Sequence, residues 1–222
     1  MIGVAVLAVA FVAHGDERWS VLGYVRVSGE RGKLTLTRFD FEDMYGAPDG
    51  STVADLIGEQ VPPNSLVYLW NRSAANYTVV SRLSRGGWSG GGTNRVARGE
   101  GFWIRVPADA PSNHYPVYLF GAVPDRYTAP TTTIAGLSGQ NLLGYPYPVP
   151  MKWTNTDLAK KVGDSALIYL WDQTNQIYEI YSKSTRSGWS AAGNVVMNPG
   201  QGFWLRDTNI VNWVEVKPYS WP

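Results

Sequence analysis

Few residues in this chain are suited to chemistry. Asp40, Glu42, Asp43 and Asp49 form the one acidic cluster, close to Gly46 and Gly50. Crowded carboxylates in a glycine-containing loop are donors calcium accepts, but the EF-hand spacing is missing. Solvated loop charge is the plainer expectation, and no cofactor is expected beyond calcium as a weak candidate. The two histidines, His14 and His114, stand far apart. A Ser-His-Asp triad would have to use His114, and no G-x-S-x-G elbow presents a serine to it. Cysteine is absent, which excludes thiolate chemistry, disulfides and cysteine-ligated metals. Gly99-Glu100-Gly101 and Gly200-Gln201-Gly202 each contain a G-x-G. Each runs into an apolar strand rather than a helix, so a turn and bulge is expected instead of a phosphate cradle. The remaining candidates are loop tryptophans, each three residues after an arginine: Arg85 with Trp88, and Arg186 with Trp189. Such a pair can stack on a sugar ring, or the indole can plug a β domain with the arginine over its face. The plug is the expected role, and ligand binding by these four residues is the alternative.

The two loops resemble each other because the chain repeats itself. Residues 66–105 align with 167–206 without a gap at an offset of 101, and 16 of the 40 positions are identical. The identities are mostly Trp, Tyr, Gly and Phe, with Arg85/Arg186 and Arg105/Arg206 as the repeated charges. Outside this block, Asp55-Leu56 answers Asp157-Leu158, and Leu22-Gly23-Tyr24 aligns with Leu143-Gly144-Tyr145. On that alignment the first copy carries about twenty extra residues, read as an added hairpin over about 28–48. The organisation expected is one module over 16–128 and a second over 129–222, joined by the stiff stretch Ala129 to Thr133. A hydrolase would need a pair of carboxylates. Within the block no acid recurs: Glu100 faces Gln201, Asp172 faces Asn71, and Glu179 faces Thr78. Asp55 and Asp157 do recur, but each opens a helical turn, where an acid serves as a cap. An enzyme is therefore not expected, and glycoside hydrolysis ranks third among the readings.

The elements that must position these residues are short strands. The chain has 24 Gly, 14 Pro, 13 Tyr and 10 Trp, a composition of aromatic strands and tight turns. Leu66–Trp70 and Leu167–Trp171 are apolar runs that fit strands buried on both faces. Polar turns then lead into Tyr77–Ser81 and Tyr178–Ser182, giving hairpins. Phe102–Val106 and Phe203–Arg206 add a third strand, and Val117–Phe120 and Val211–Val216 a fourth. Helix is confined to a turn or two after Thr52 and Thr156. The fold class expected is all-β: two tandem small antiparallel β-sandwich or barrel modules, related by internal duplication. Trp70, Trp103, Trp171 and Trp204 are expected in the module cores.

Residues 2–13 are apolar throughout. A bilayer span takes about 20 residues, so no stable membrane span is expected. The length suits the apolar region of an export signal, although no basic residue precedes it. Residues 1–15 are thus read as a signal peptide or a retained apolar strand. Lys plus Arg number 19 against 18 Asp plus Glu, a balance that argues against nucleic acid as a partner.

The ordered set Asn141-Leu142-Leu143-Gly144-Tyr145-Pro146-Tyr147-Pro148, Ile168-Tyr169-Leu170-Trp171 and Pro199-Gly200-Gln201-Gly202-Phe203-Trp204 resembles a module of bacterial secreted and cell-surface proteins. That module is a β-sandwich with an N-L-x-G-x-P-Y-P start, an I-Y-x-W strand and a P-G-Q-G-F-W strand. The likeness covers essentially all of the second copy. In the first copy Arg98-Gly99-Glu100 replaces Pro-Gly-Gln. The resemblance implies an extracellular or cell-surface location and a structural or adhesive role, and transfers no catalytic residue. The expected function is a non-enzymatic surface or extracellular structural protein, with self-association into a filament or surface layer as one version. Its partners would be copies of itself, other surface proteins or polysaccharide. A carbohydrate-binding module using the loop tryptophans is the alternative.

Overall fold

A computed structural model describes residues 4–5, 10–12, 19–125 and 129–220. The reading of residues 1–15 as a signal or retained strand falls largely outside these. The described part of that segment is two short strands, β1 (Val4–Ala5) and β2 (Ala10–Val12). The fold is all-β. The first half continues with β3 (Trp19–Glu30), β4 (Leu34–Arg38), β5 (Ser51–Thr52), β6 (Leu66–Asn71), β7 (Asn76–Ser81), β8 (Arg95–Val96), β9 (Gly101–Arg105) and β10 (His114–Ala122). The second half holds β11 (Thr131–Gly144), β12 (Met151–Lys152), β13 (Leu167–Asp172), β14 (Ile177–Ser184), β15 (Gly188–Trp189), β16 (Val196–Met197) and β17 (Gly202–Val216). Each half has one short helix, α1 (Val53–Ile57) and α2 (Asp157–Lys161).

In the first half the sheet order is β4-β9-β6-β7, and a second sheet pairs β3 with β10, β1 and β2, all antiparallel. Val25 and Val27 of β3, Leu119 of β10, Phe102 and Ile104 of β9, and Leu56 of α1 fill the space between. The second half makes a similar core from one bent sheet, β11-β17-β13-β14-β15. Here β11 and β17 run the full length of the module, and register shifts between Ile134 and Gly139 bend them over the core. Such bulges are the usual device for turning a strand across a barrel corner. The first half makes the corresponding turn by breaking the strand: β3 ends at Glu30, and Gly32 adopts a φ of 74° before β4 starts.

Two expectations change here. Residues 28–48 are not an added hairpin. They hold the end of β3 and all of β4, which pairs with β9 as the terminal strand of the β4-β9-β6-β7 sheet. The alignment of Leu22-Gly23-Tyr24 with Leu143-Gly144-Tyr145 also fails. Gly23 pairs with Gly121, whereas Leu36 opposes Trp103 as Leu142 opposes Trp204. Phe39 and Phe41 then correspond to Tyr145 and Tyr147, and all four are fully buried or nearly so. Register along the central strand, rather than the three-letter match, fixes the correspondence.

The caps also differ in detail. Threonine, not aspartate, caps each helix: Asp55 N–H donates to Thr52 Oγ1 and Ala159 N–H to Thr156 Oγ1, both at 3.1 Å. A hydroxyl at that position satisfies one of the free amides of the first turn. Asp157 instead accepts from Val214 N–H at 3.1 Å and pairs with Lys161 at 3.0 Å.

Candidate functional site

In β6 and β13 alternate residues face opposite ways, as in any strand. Val67 and Ile168 point into their own cores. Tyr68, Trp70 and Trp171 point the other way, into a third cluster with Leu36, Trp103, Leu142 and Trp204. This cluster is a seam between the halves, so Trp70, Trp103, Trp171 and Trp204 do not lie in the module cores as expected. Both faces of the run are occupied, one by its own module and the other by its neighbour.

The seam is reciprocal. Trp70 meets Trp204 edge to face at 5.0 Å between ring centres, and Trp171 meets Trp103 in the same way at 5.1 Å. Trp70 Nε1–H donates to Gln140 O at 2.9 Å, and Trp171 Nε1–H to Leu34 O at 3.0 Å. Tyr77 packs on Trp70 at 5.1 Å, and Tyr178 on Trp171 at 4.8 Å. Edge-to-face aromatic pairs contribute about 0.5–1.5 kcal/mol each beyond area burial. Three repeated aromatic positions thus do the same work twice. The turn after each central strand reaches across as well: Arg72 Nη1 donates to Ala135 O at 3.2 Å, and Gln173 Nε2 to Ser28 O at 2.6 Å.

The G-x-G elements belong to this seam. Gly99 and Gly200 take φ of 84° and 75°, the left-handed turn expected of them. The second glycines act through close approach. A Cβ on Gly101 would lie 2.8 Å from Leu143 O, and one on Gly202 would lie 2.6 Å from Thr37 O. The following Phe102 and Phe203 enter the module cores, while Trp103 and Trp204 enter the seam.

Along its middle the seam is asymmetric. Arg38, fully buried, contacts Asp40 through Nε and Oδ1 at 2.6 Å, a close ion contact rather than an aligned hydrogen bond. Its guanidinium also donates to Tyr145 O, and to Tyr147 O at 3.3 Å. Asp40 Oδ2 accepts from Gly200 N–H at 2.7 Å, while Thr37 Oγ1 donates to Gly200 O at 2.9 Å. Burial pushes the Asp40 carboxyl up to about 7, against the opposing pull of Arg38 and the Gly200 amide. In the second half the same positions are Gly144 and Pro146. A Cβ on Gly144 would overlap the Arg38 side chain, so the large residue of one half sits on the small residue of the other.

The acidic cluster does not converge. Asp40 serves the seam. Asp43 organises its own loop, accepting from Tyr45 N–H at 2.8 Å, Ala47 N–H at 3.1 Å and Ser51 Oγ at 2.7 Å. Burial raises the Asp43 carboxyl, and these hydrogen bonds more than offset it, so it lies below the usual range. Asp49 pairs with Arg95 at 3.2 Å and Glu42 with Arg98 at 3.7 Å. Among the described residues no group of three or more His, Cys, Asp or Glu is placed to hold a metal. The calcium candidate thus has its four acids on separate structural partners.

The loop tryptophans are plugs. Trp88 is only 4% exposed, belongs to the first core, and donates its indole N–H to Gly58 O at 3.1 Å. Trp189 is half-buried, packs edge to face on Trp153 at 5.1 Å, and donates to Ala159 O at 3.0 Å. Arg85 and Arg186 are exposed. The four residues therefore do not assemble a ligand platform, because each indole is turned into its own core.

Sequence reasoning passed over Arg105 and Arg206, although both were among the repeated identities. They follow the seam tryptophans by two residues, so they share the seam face, and both are exposed. Arg105 lines an open groove of about 570 Å³ with Tyr68, Tyr77, Trp103, Trp171 and Tyr178. No family model, curated protein or solved structure matches the chain. No helix among the described residues is long and apolar enough to cross a membrane.

Proposed function

We propose that this chain is a non-enzymatic extracellular or cell-surface structural protein, built by duplication of one module and able to self-associate. The observation that carries this reading is the reciprocal seam. The residues repeated between the halves form turns, cores and the Trp70–Trp204 and Trp103–Trp171 contacts, which make one stiff unit of two modules. Repeated function-bearing acids would favour a hydrolase, whereas Asp40, Asp43 and Asp157 are each engaged by structural donors. Self-association has support in β7, which ends its sheet, carries no charge over Asn76–Ser81 and exposes Tyr77 and Val79. An uncharged apolar edge strand is a template for pairing with another chain.

Two measurements on the source cells and the native protein test this. Immunolabelling of intact cells should place the protein on or outside the surface, and light scattering should show larger species as concentration rises. Recovery in the cytoplasmic fraction would overturn the location, and a strict monomer at all concentrations would overturn the assembly.

A further inference from the structure

Most of the repeated identities have a visible task. Trp70, Trp103, Tyr68 and Tyr77 and their counterparts form the seam. Trp88 and Trp189 plug the cores, and Gly99 and Gly200 make the turns. Ser89 and Ser190 hydroxyls accept from the backbone N–H of Ser81 and Ser182 at 2.9 and 3.0 Å. Arg85 and Arg105 are left over. Arg85 is exposed and does not line the groove described above, whereas Arg105 does. Among the described residues Arg105 has no ion-pair partner. An arginine at the rim of an aromatic groove, with its guanidinium free, is a recognition arrangement rather than a packing one.

We propose that this groove binds a carboxylated sugar ring, a uronate unit of an acidic polysaccharide. Tyr77 and Tyr178, 40% and 39% exposed, line the groove together with the buried Trp103. Trp171 packs edge to face on Trp103 and on Tyr178, so the lining of the groove is one connected aromatic cluster. Aromatic faces are electron-rich and attract the weakly positive C–H face of a pyranose. A planar guanidinium matches a carboxylate in two parallel hydrogen bonds, which gives direction as well as charge. The volume falls within the range of small-ligand sites, about 300–1,000 Å³, and the groove is open rather than enclosed, which suits a unit within a chain. Gln176, which also lines the groove, accepts from Leu34 N–H at 2.9 Å and donates to Leu34 O at 3.1 Å and Gln173 O at 2.7 Å, so it shapes the groove without offering a donor. In the other half Ala75 stands where Gln176 does, so the two flanks of the seam are not equivalent.

Calorimetric and tryptophan-fluorescence titration of the full chain with tetragalacturonate tests this. Binding is expected, weakened at least tenfold by Arg105→Ala and by Tyr178→Ala, and weakened as salt is raised. The fully methyl-esterified oligomer should bind at least tenfold more weakly than the free acid. Arg206→Ala should leave binding within twofold. Because Arg105 is exposed, circular dichroism of Arg105→Ala should match the parent, and an unfolded variant would transfer the test to Arg105→Gln. Absence of binding at 10 mM tetragalacturonate would overturn the proposal. So would equal affinity for the ester, unchanged affinity in Arg105→Ala, or binding of 2-naphthoate without binding of the uronate.

Discussion

The two halves use the same tryptophans to face each other, yet they differ where the end of β4 meets the end of β11. The first half places Arg38 and Asp40 there, and the second places Gly144 and Pro146. Two identical copies could not both carry Arg38, because the side chain fills the space above Gly144. The repeated residues therefore generate the seam, and the unrepeated ones make it directional. A similar division separates Gln173 from Arg72: both reach across to the facing strand, but only Gln173 also bonds a side chain, Thr35 Oγ1, at 2.9 Å. What the halves share makes them stick, and what they do not share fixes which sits where.

The largest effect expected from breaking the shared part is at Trp103, 4% exposed in the seam. Trp103→Ala should lower unfolding free energy by about 3–5 kcal/mol in denaturant titration, the range for emptying a buried aromatic site. Trp204→Ala, at a half-buried position, should have a smaller effect. Breaking the unshared part should cost a comparable amount by a different route. Arg38→Ala leaves Asp40 buried without its cation, and removing one member of a buried pair costs about 3–5 kcal/mol. Replacing both, as Arg38→Met with Asp40→Leu, should recover most of that loss, because the charges are then no longer desolvated.

A pH series sharpens the same point. Burial pushes the Asp40 carboxyl up to about 7 in the folded protein, against about 3.9 for the unfolded chain. The folded state therefore holds more protons between these values, and the contribution of this group to stability is fully present below about pH 4. It is lost as pH rises through 7. Asp40→Asn should flatten that part of the stability profile, and an unchanged slope would mean that other groups produce it. The smallest effect is expected at the repeated but unengaged Arg85, where Arg85→Ala should change stability by less than about 0.5 kcal/mol.

The all-β class, the hairpins after Leu66–Trp70 and Leu167–Trp171, and the short helices after Thr52 and Thr156 were legible from alternation and turn residues. The plug role of Trp88 was legible too, from an indole in a glycine-rich loop. The seam was not. Alternation shows that Trp70 faces away from Val67, but it does not say which surface covers that side. The correspondence of β4 with the end of β11 was hidden because Leu36-Thr37-Arg38 shares only leucine with Leu142-Leu143-Gly144. The alternating aromatics Phe39 and Phe41 against Tyr145 and Tyr147 were the available signal. The acidic cluster misled because proximity in sequence says nothing about direction. Asp40 points into the seam, and Asp43 back at its own loop.

The central claim is that Trp70 and Trp204 hold the halves together by direct contact. A double-mutant cycle with Trp70→Ala, Trp204→Ala and the pair, read by equilibrium unfolding, tests it most directly. The account predicts a coupling of about 0.5–1.5 kcal/mol, the worth of an edge-to-face pair. Strict additivity of the two single losses would contradict it.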